Sequence, residues 1–278
     1  MAKHTKTREL IDAAIEVLKE YQDELPMTLR QVYYELVSRQ VIMNVRSRYN
    51  ALSKALVFAR KEGIISWEWI EDRLRRPRSV SMWDSFSDFG KTVIHSFRRN
   101  VWEIQHEYIE VWLEKDALAG IFERVLNPYG ITLNVGRGYD GWDSINNAAM
   151  RYLEFTEVSV LYFGDFDPSG EDMFRSFEER LGFFECFPKI VKCALNMDDI
   201  RRYKLPPALA KKTDTRAKKF IEKHGDVSVE LDALPLNVLK ERIRFEVEKR
   251  MDMVALEEIR VIEEEERRRL RRIFESDN

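Results

Sequence analysis

From residue 108 onward, short apolar segments alternate with longer amphipathic ones, and this alternation restricts the fold more than any other feature of the sequence. Each apolar segment has the length and composition of a buried strand, and the segments between have the apolar spacing of helices. The strand-like segments are YIEVWLE, ITLNVG, VSVLYFGDFD and KIVKCAL, and the helical ones are AGIFERVLNPYG, WDSINNAAMRYLEF and DMFRSFEERLG. This order predicts a parallel sheet covered by helices, and therefore an α/β fold.

The N-terminal part of the chain has helical spacing instead. Three helices are predicted, at residues 7–22, in LRQVYYELVSR after Thr28 as a capping residue, and at residues 48–61. The strand-like segment IISWEWI follows, and we expect its Trp67 and Trp69 to pack in the core. This order fits a winged-helix unit and a small helical bundle equally well.

The remaining segments complete the predicted domain organisation. Helix is expected near residues 92–105 of an otherwise irregular connector, and long helices are expected from Leu236 to the end of the sequence. The predicted units are a winged-helix-like domain (1–78), the connector (79–107), an α/β domain (108–235) and C-terminal helices (236–278).

Composition excludes several classes of protein. Hydrophobic residues make up 44% of the chain, which is enough to build a core, and the net charge of -3 does not by itself indicate a nucleic-acid partner. Two cysteines and four scattered histidines cannot form a disulfide framework or a Cys/His zinc site. The sequence has neither an apolar run of about 18 residues nor the apolar core of a signal peptide. We therefore expect a soluble cytoplasmic protein without a membrane partner.

Acidic residues follow two of the predicted strands. Glu114 ends the first strand, and Asp165 and Asp167 end the third. Ligands of open parallel sheets bind at the carboxyl ends of the strands, and three unpaired carboxylates there would repel one another unless a cation bound them. Hard oxygen ligands favour Mg²⁺, with Mn²⁺ as an alternative, and a metal of this kind stabilises charge on phosphate oxygens. The alternative interpretation is structural, because Asp165 or Ser169 could cap the helix that follows.

These acids also carry a family resemblance. Glu114 followed by the Asp-x-Asp-Pro-x-Gly pattern in GDFDPSGEDM resembles a TOPRIM domain, which has a Rossmann-like parallel sheet. With LEKDAL, GRGYDGWDS, DDIRRYKLP and VELDALPLNVL, the chain resembles the A subunit of topoisomerase VI and its eukaryotic relative, the meiotic double-strand-break transesterase. The resemblance covers roughly residues 25–75 and 108–250. It implies that Glu114, Asp165 and Asp167 bind Mg²⁺ and that Glu114 takes part in catalysis.

The same resemblance includes a tyrosine pair in TLRQVYY. By position, Tyr34 would be the nucleophile that attacks the DNA backbone, and Arg30 would hold the phosphate. The helical spacing places Tyr33 on the apolar stripe of its helix, so we expect Tyr33 in the core. Tyr34 lies off that stripe, one turn after Arg30, and we expect it to be exposed.

Local charge is consistent with a double-stranded DNA partner. Residues 28–80 contain 11 Lys and Arg against 5 Asp and Glu, a net charge of +6. No base-reading motif is evident, so recognition of shape or backbone is expected. The candidate DNA-binding residues are Arg46, Arg48, Lys54, Arg60, Lys61, Arg75, Arg76 and Arg137.

Three functions agree with these patterns. The first is a DNA-cleaving transesterase that resembles the topoisomerase VI A subunit, and this resemblance implies a homodimer and a separate ATPase or other partner subunit. The second is a TOPRIM nuclease, similar to plasmid-defence nucleases, which would cut DNA with metal-activated water and leave Tyr34 structural. The third is a DNA-binding module without catalysis.

Overall fold

The computed structural model describes residues 2–71, 80–136, 141–207 and 216–275. The N-terminal unit consists of the helices α1 (Ala2–Glu20), α2 (Leu29–Ser38) and α3 (Arg46–Lys61) and the short strands β1 (Met27–Thr28) and β2 (Ile70–Glu71). The two strands pair in parallel. The prediction that Thr28 caps α2 is confirmed, because its hydroxyl accepts a hydrogen bond from Gln31 N at 3.3 Å.

Two local predictions for the first hundred residues are wrong. In the segment IISWEWI, a 3-10 turn occupies Trp67–Trp69 and only the last residue, Ile70, belongs to a strand. In the connector, helix α4 spans Phe86–Ser96 rather than residues 92–105. The cause is an N-cap that apolar spacing does not reveal, since the Ser85 hydroxyl accepts a hydrogen bond from Asp88 N at 3.1 Å.

The α/β prediction is confirmed by a four-stranded parallel sheet within the described residues. Its strands are β3 (Tyr108–Leu113), β4 (Thr132–Val135), β5 (Val158–Phe163) and β6 (Lys189–Ala194), in the order β4-β3-β5-β6. All three pairings are parallel. The central strand β3 is buried along its whole length, which explains why its sequence is an apolar run rather than an alternating pattern.

Helices cover both faces of the sheet. The helices that follow β3 in the described residues are α5 (Ala119–Leu126), α6 (Trp142–Tyr152), α7 (Pro168–Phe183), α8 (Met197–Arg202), α9 (Ala217–His224), α10 (Leu236–Glu248) and α11 (Met253–Glu275). Alternate β3 residues belong to different cores, with Val111 and Leu113 in one and Tyr108 and Trp112 in the other. The core that contains Val111 continues into α1, α2 and α3, so the N-terminal unit and the sheet share buried apolar surface.

The last helix, α11, packs against α4. A Cβ atom on Gly90 would lie 2.5 Å from the Phe274 ring, so the two helices approach closely at this glycine. Along α11, Glu263 and Arg267 form an i,i+4 ion pair at 2.7 Å. Among the described residues, none of the helices combines the length and the apolar content that a membrane span requires.

Candidate active site

The acids that follow β3 and β5 converge at the carboxyl edge of the sheet. The two strands are neighbours and run in parallel, so their ends lie side by side. Glu114 N donates a hydrogen bond to Phe163 O at 2.9 Å, which extends the pairing by one residue. The Glu114 Oε2 atom in turn accepts a hydrogen bond from Asp165 N at 3.0 Å. The predicted proximity of Glu114 and Asp165 is therefore present.

Two glycines make room for the Glu114 carboxylate. A Cβ atom on Gly164 would lie 2.6 Å from Glu114 Oε2, and one on Gly170 would lie 2.5 Å from the backbone oxygen of Asp165. Gly170 faces a backbone atom that cannot move aside, so this position needs glycine for close packing, whereas a side chain at Gly164 would require the Glu114 and Tyr162 side chains to shift. No role was predicted for either glycine from the sequence, although both stand in the segment GDFDPSG.

Asp167 has a structural contact of its own. Its Oδ1 atom accepts a hydrogen bond from Gly170 N at 2.6 Å, and Asp167 is the N-cap of α7. The capping function that we considered for Asp165 or Ser169 thus belongs to Asp167, because the helix begins at Pro168, earlier than expected.

Asp165 is buried and has two direct partners. Its Oδ1 atom accepts a hydrogen bond from Leu231 N at 2.7 Å and lies 3.0 Å from Lys115 Nζ. The Lys115 ammonium therefore offsets part of the negative charge of the Asp165 carboxylate. Within the described ranges, no group of three or more His, Cys, Asp and Glu side chains is arranged so that it could hold a metal ion. Glu114 and Asp165 do offer the hard oxygen donors that Mg²⁺ prefers.

Burial and mutual repulsion alter the protonation of these acids. Burial, followed by the charges of Asp165 and Asp167, raises the pKa of Glu114 to about 7, and Lys115 opposes this rise. Burial also raises the pKa of Asp165 above its ordinary value, against the attraction of Lys115. Both carboxyls are therefore protonated more readily than free carboxyls, chiefly because they are buried.

Lys115 is the centre of a charge cluster that was not predicted from the sequence. Besides Asp165, its ammonium contacts Glu230 Oε2 at 2.9 Å and Asp232 Oδ1 at 2.7 Å. Glu230 and Asp232 flank Leu231, whose backbone N–H binds Asp165. The relevant signals were the lysine in LEKDAL and the two acids in VELDAL, segments that pointed only to a family resemblance.

Helix α2 brings Arg30 and Tyr34 to the same cluster. The Arg30 guanidinium forms ion pairs with both Glu230 and Asp232. The Tyr34 hydroxyl donates a hydrogen bond to Glu230 Oε2 at 2.8 Å, and the Arg30 guanidinium lies 5.8 Å from the centre of the Tyr34 ring. The segment 230–232 therefore links the two parts of the site. Its acidic side chains contact Tyr34 and Arg30, and its Leu231 N–H binds the strand-end acid Asp165. We name the set Arg30, Tyr34, Lys115, Asp165, Glu230 and Asp232 the charge cluster.

Tyr34 is buried, so the prediction that it is exposed is wrong. Only 6% of the residue is accessible, because the 3-10 turn at Leu231–Ala233 packs against α2 on the side that the apolar stripe leaves free. The prediction for Tyr33 is confirmed, since it is buried in the core at 3% exposure. Burial and the charge of Asp232 raise the pKa of the Tyr34 phenol above its ordinary value, and Arg30 partly offsets them.

The basic residues proposed to bind DNA divide into three groups. Four of them are exposed on α3, namely Arg46, Arg48, Lys54 and Lys61. Arg60 is half-buried, because its guanidinium stacks 4.7 Å from the ring centre of Trp67 and donates to Ile70 O at 3.4 Å. Trp67 itself is exposed, contrary to our expectation that it packs in the core. The third group, Arg75, Arg76 and Arg137, lies outside the described residues.

No protein-family model matches this sequence, and a search of curated proteins finds no match. The resemblance to the A subunit of topoisomerase VI therefore depends on the motifs quoted above. The function proposed below rests on the geometry of the charge cluster.

Proposed function

We propose that this protein cleaves the backbone of double-stranded DNA by transesterification to Tyr34. One observation carries the proposal. A tyrosine hydroxyl, an arginine and a lysine share the carboxylate of Glu230, within a cluster that includes the strand-end acid Asp165. A nucleophile next to a base, with cations available for phosphate oxygens, is the arrangement that phosphoryl transfer to a side chain requires.

Each residue of the proposed site has a separate role. Tyr34 supplies the nucleophilic oxygen, and Arg30 exchanges a carboxylate for the scissile phosphate, whose geometry matches a guanidinium. Glu114, Asp165 and Asp167 would hold Mg²⁺ or Mn²⁺, which stabilises negative charge on phosphate oxygens when it is bound. The Asp167 carboxylate has one oxygen engaged in the cap of α7, and its other oxygen is the one proposed for the metal.

The exposed face of α3 supports a DNA partner. Arg46, Arg48, Lys54 and Lys61 project into solvent from one helix, and lysines and arginines of this kind bind the phosphate backbone. We propose contact with double-stranded DNA along this helix. The homodimer and the separate ATPase or other partner subunit follow only from the family resemblance, and we keep both as parts of the proposal.

A second function is favoured by two other observations. Tyr34 is buried, and Glu114 and Asp165 come together at the strand ends without a contribution from the tyrosine. These features favour a metal-dependent nuclease in which water attacks the phosphate and Tyr34 is structural. Its products would have free ends, whereas transesterification leaves protein attached to DNA.

Cleavage assays with two tyrosine variants distinguish the two functions. End-labelled and supercoiled duplexes are incubated with Mg²⁺ or Mn²⁺, and denaturing gels separate nicks, breaks and protein-linked ends. Tyr33→Phe is the matched control, because Tyr33 is the adjacent buried tyrosine and its hydroxyl binds Asn44 Oδ1 at 3.1 Å. We expect a covalent adduct that Tyr34→Phe abolishes and Tyr33→Phe retains. Cleavage with free ends in all three proteins would instead support the nuclease, and absence of cleavage would contradict any cleavage by this protein without its partner subunit.

A further inference from the structure

We infer that Glu230 is the catalytic base that accepts the proton of the Tyr34 hydroxyl, an inference that rests on the transesterase function proposed above. The two groups are 196 residues apart in sequence, yet the hydroxyl donates directly to Glu230 Oε2 at 2.8 Å. This distance lies within the range in which a base can take a proton without an intervening water.

The environment of Tyr34 makes a base necessary. A free phenol has a pKa near 10, and burial raises the pKa of Tyr34 further, so very little phenolate forms at neutral pH. The proton must therefore leave while the oxygen attacks. Among the described residues, Glu230 is the one whose side chain hydrogen-bonds to the Tyr34 hydroxyl.

The two acids of the segment 230–232 have different surroundings. Asp232 is almost completely buried, at 1% side-chain exposure, and it contacts the cations Arg30 and Lys115. Glu230 contacts the same cations but also Tyr34, and 41% of its side chain is exposed. Asp232 is thus placed to hold the two cations, whereas Glu230 can pass a proton to solvent.

The proposed step balances in atoms and charge. The Tyr34 oxygen forms a bond to phosphorus as its proton moves to the Glu230 carboxylate, and the bond between phosphorus and the deoxyribose oxygen breaks. The leaving oxygen takes a proton from solvent, and Glu230 returns its proton to solvent. The products are a phosphotyrosine diester and a free sugar hydroxyl, with no net uptake or release of protons.

The cluster allows a substitution that isolates this role. Glu230→Gln retains an oxygen that can accept the Tyr34 hydrogen bond, but an amide cannot take the proton. The cations keep partners in the variant, since Arg30 still pairs with Asp232 and Lys115 still pairs with Asp165 and Asp232. Folding and DNA binding should therefore survive the substitution.

The test is the rate of adduct formation in a single turnover with labelled duplex and Mg²⁺. We expect Glu230→Gln to slow adduct formation by about 100-fold or more, the usual contribution of a general base, with DNA affinity no weaker than that of the wild type. Glu248→Gln is the matched control. Glu248 also accepts a hydrogen bond from a tyrosine hydroxyl, that of Tyr129 at 2.5 Å, but it does not belong to the charge cluster. We also expect sodium formate to restore part of the rate to Glu230→Ala, an effect that a purely structural residue would not show.

The outcomes separate this inference from the function on which it rests. If the wild type forms an adduct and Glu230→Gln forms it equally fast, transesterification stands and the role of Glu230 is overturned. A slow Glu230→Ala that formate does not accelerate, or a Glu230→Gln with weakened DNA binding, would reduce Glu230 to a structural residue and overturn the inference as well. If the wild type forms no adduct, the proposed function fails and the inference fails with it.

Discussion

The Lys115 ammonium lies 3.0 Å from Asp165 Oδ1, an oxygen of one of the carboxylates proposed to bind a metal ion. Both side chains are 12% exposed, so neither charge is well solvated. Burial is the main cause of the raised pKa of Asp165, and the charge of Lys115 opposes this rise. We therefore expect the charge cluster to stabilise the fold. Within it, Lys115 would compete with the proposed metal ion for the Asp165 carboxylate.

Removal of the Lys115 charge should destabilise the protein. Lys115→Met leaves Asp165 and Asp232 buried without this cation, and breaking a buried ion pair from one side costs about 3 kcal/mol of the free energy of unfolding. Urea denaturation measures the loss. Lys91→Met is the control, because Lys91 pairs with Asp88 on the surface, where 73% of the lysine side chain is exposed, and it should change stability little. Equal effects of the two substitutions would contradict the importance of the cluster.

Mg²⁺ and Lys115 should compete for the same carboxylate. Asp165→Ala removes the shared ligand and should weaken Mg²⁺ binding in calorimetry, whereas Lys115→Met should strengthen it because no ammonium has to be displaced. Asp172→Ala serves as the control, since Asp172 lies further along α7 and contacts Arg175 at 2.6 Å. Unchanged Mg²⁺ binding by Asp165→Ala would exclude Asp165 as a ligand.

Gly170 should not tolerate a side chain. The Cβ atom of Gly170→Ala would lie 2.5 Å from Asp165 O, a backbone atom that cannot rotate away, so we expect a loss of about 1–3 kcal/mol from overpacking. The matched substitution in the same helix is Gly182→Ala, whose Cβ atom would lie an ordinary 3.6 Å from Phe187. Thermal denaturation should show destabilisation by the first change and none by the second. A fully stable Gly170→Ala would contradict the close packing at Asp165.

Stability should depend on pH through Glu114. The pKa of this carboxyl rises from its ordinary 4.5 to about 7 in the folded protein, so between these values the folded state binds more protons than the unfolded state. The free energy of unfolding must then fall as pH rises from about 4.5 to about 7. Glu114→Gln cannot titrate and should lose this part of the dependence, gaining stability over the wild type above pH 7. Urea titrations in EDTA across this pH range measure it, and parallel curves for the two proteins would contradict the shifted pKa.

The sequence predicted the parts of the site that depend on strand boundaries. Glu114 and Asp165 were identified because apolar strands end beside them, and adjacent parallel strands bring such residues together. Lys115 was overlooked because a lysine beside an acid is common on surfaces, and nothing local indicates three carboxylate partners. Glu230 and Asp232 reach the site through a tertiary contact that no periodicity reveals.

The burial of Tyr34 shows the limit of a helical wheel. The wheel places Tyr33 on the apolar stripe of α2 and Tyr34 outside it. It cannot show which other segment of the chain covers the side of α2 that carries Tyr34. Here the segment that contains Leu231 and Ala233 does so, and it also brings Glu230 to the Tyr34 hydroxyl. The same contact that made the prediction of exposure wrong supplies the candidate base.

The central claim is that Tyr34 forms a covalent bond with DNA, and mass spectrometry of the linked peptide tests it most directly. Wild-type protein is incubated with duplex and Mg²⁺, the DNA is trimmed by nucleases, and the protein is digested with trypsin. We predict that the peptide QVYYELVSR carries the nucleotide and that fragmentation assigns it to Tyr34 rather than Tyr33. A nucleotide on any other residue, or cleaved DNA without linked peptide, would contradict the claim.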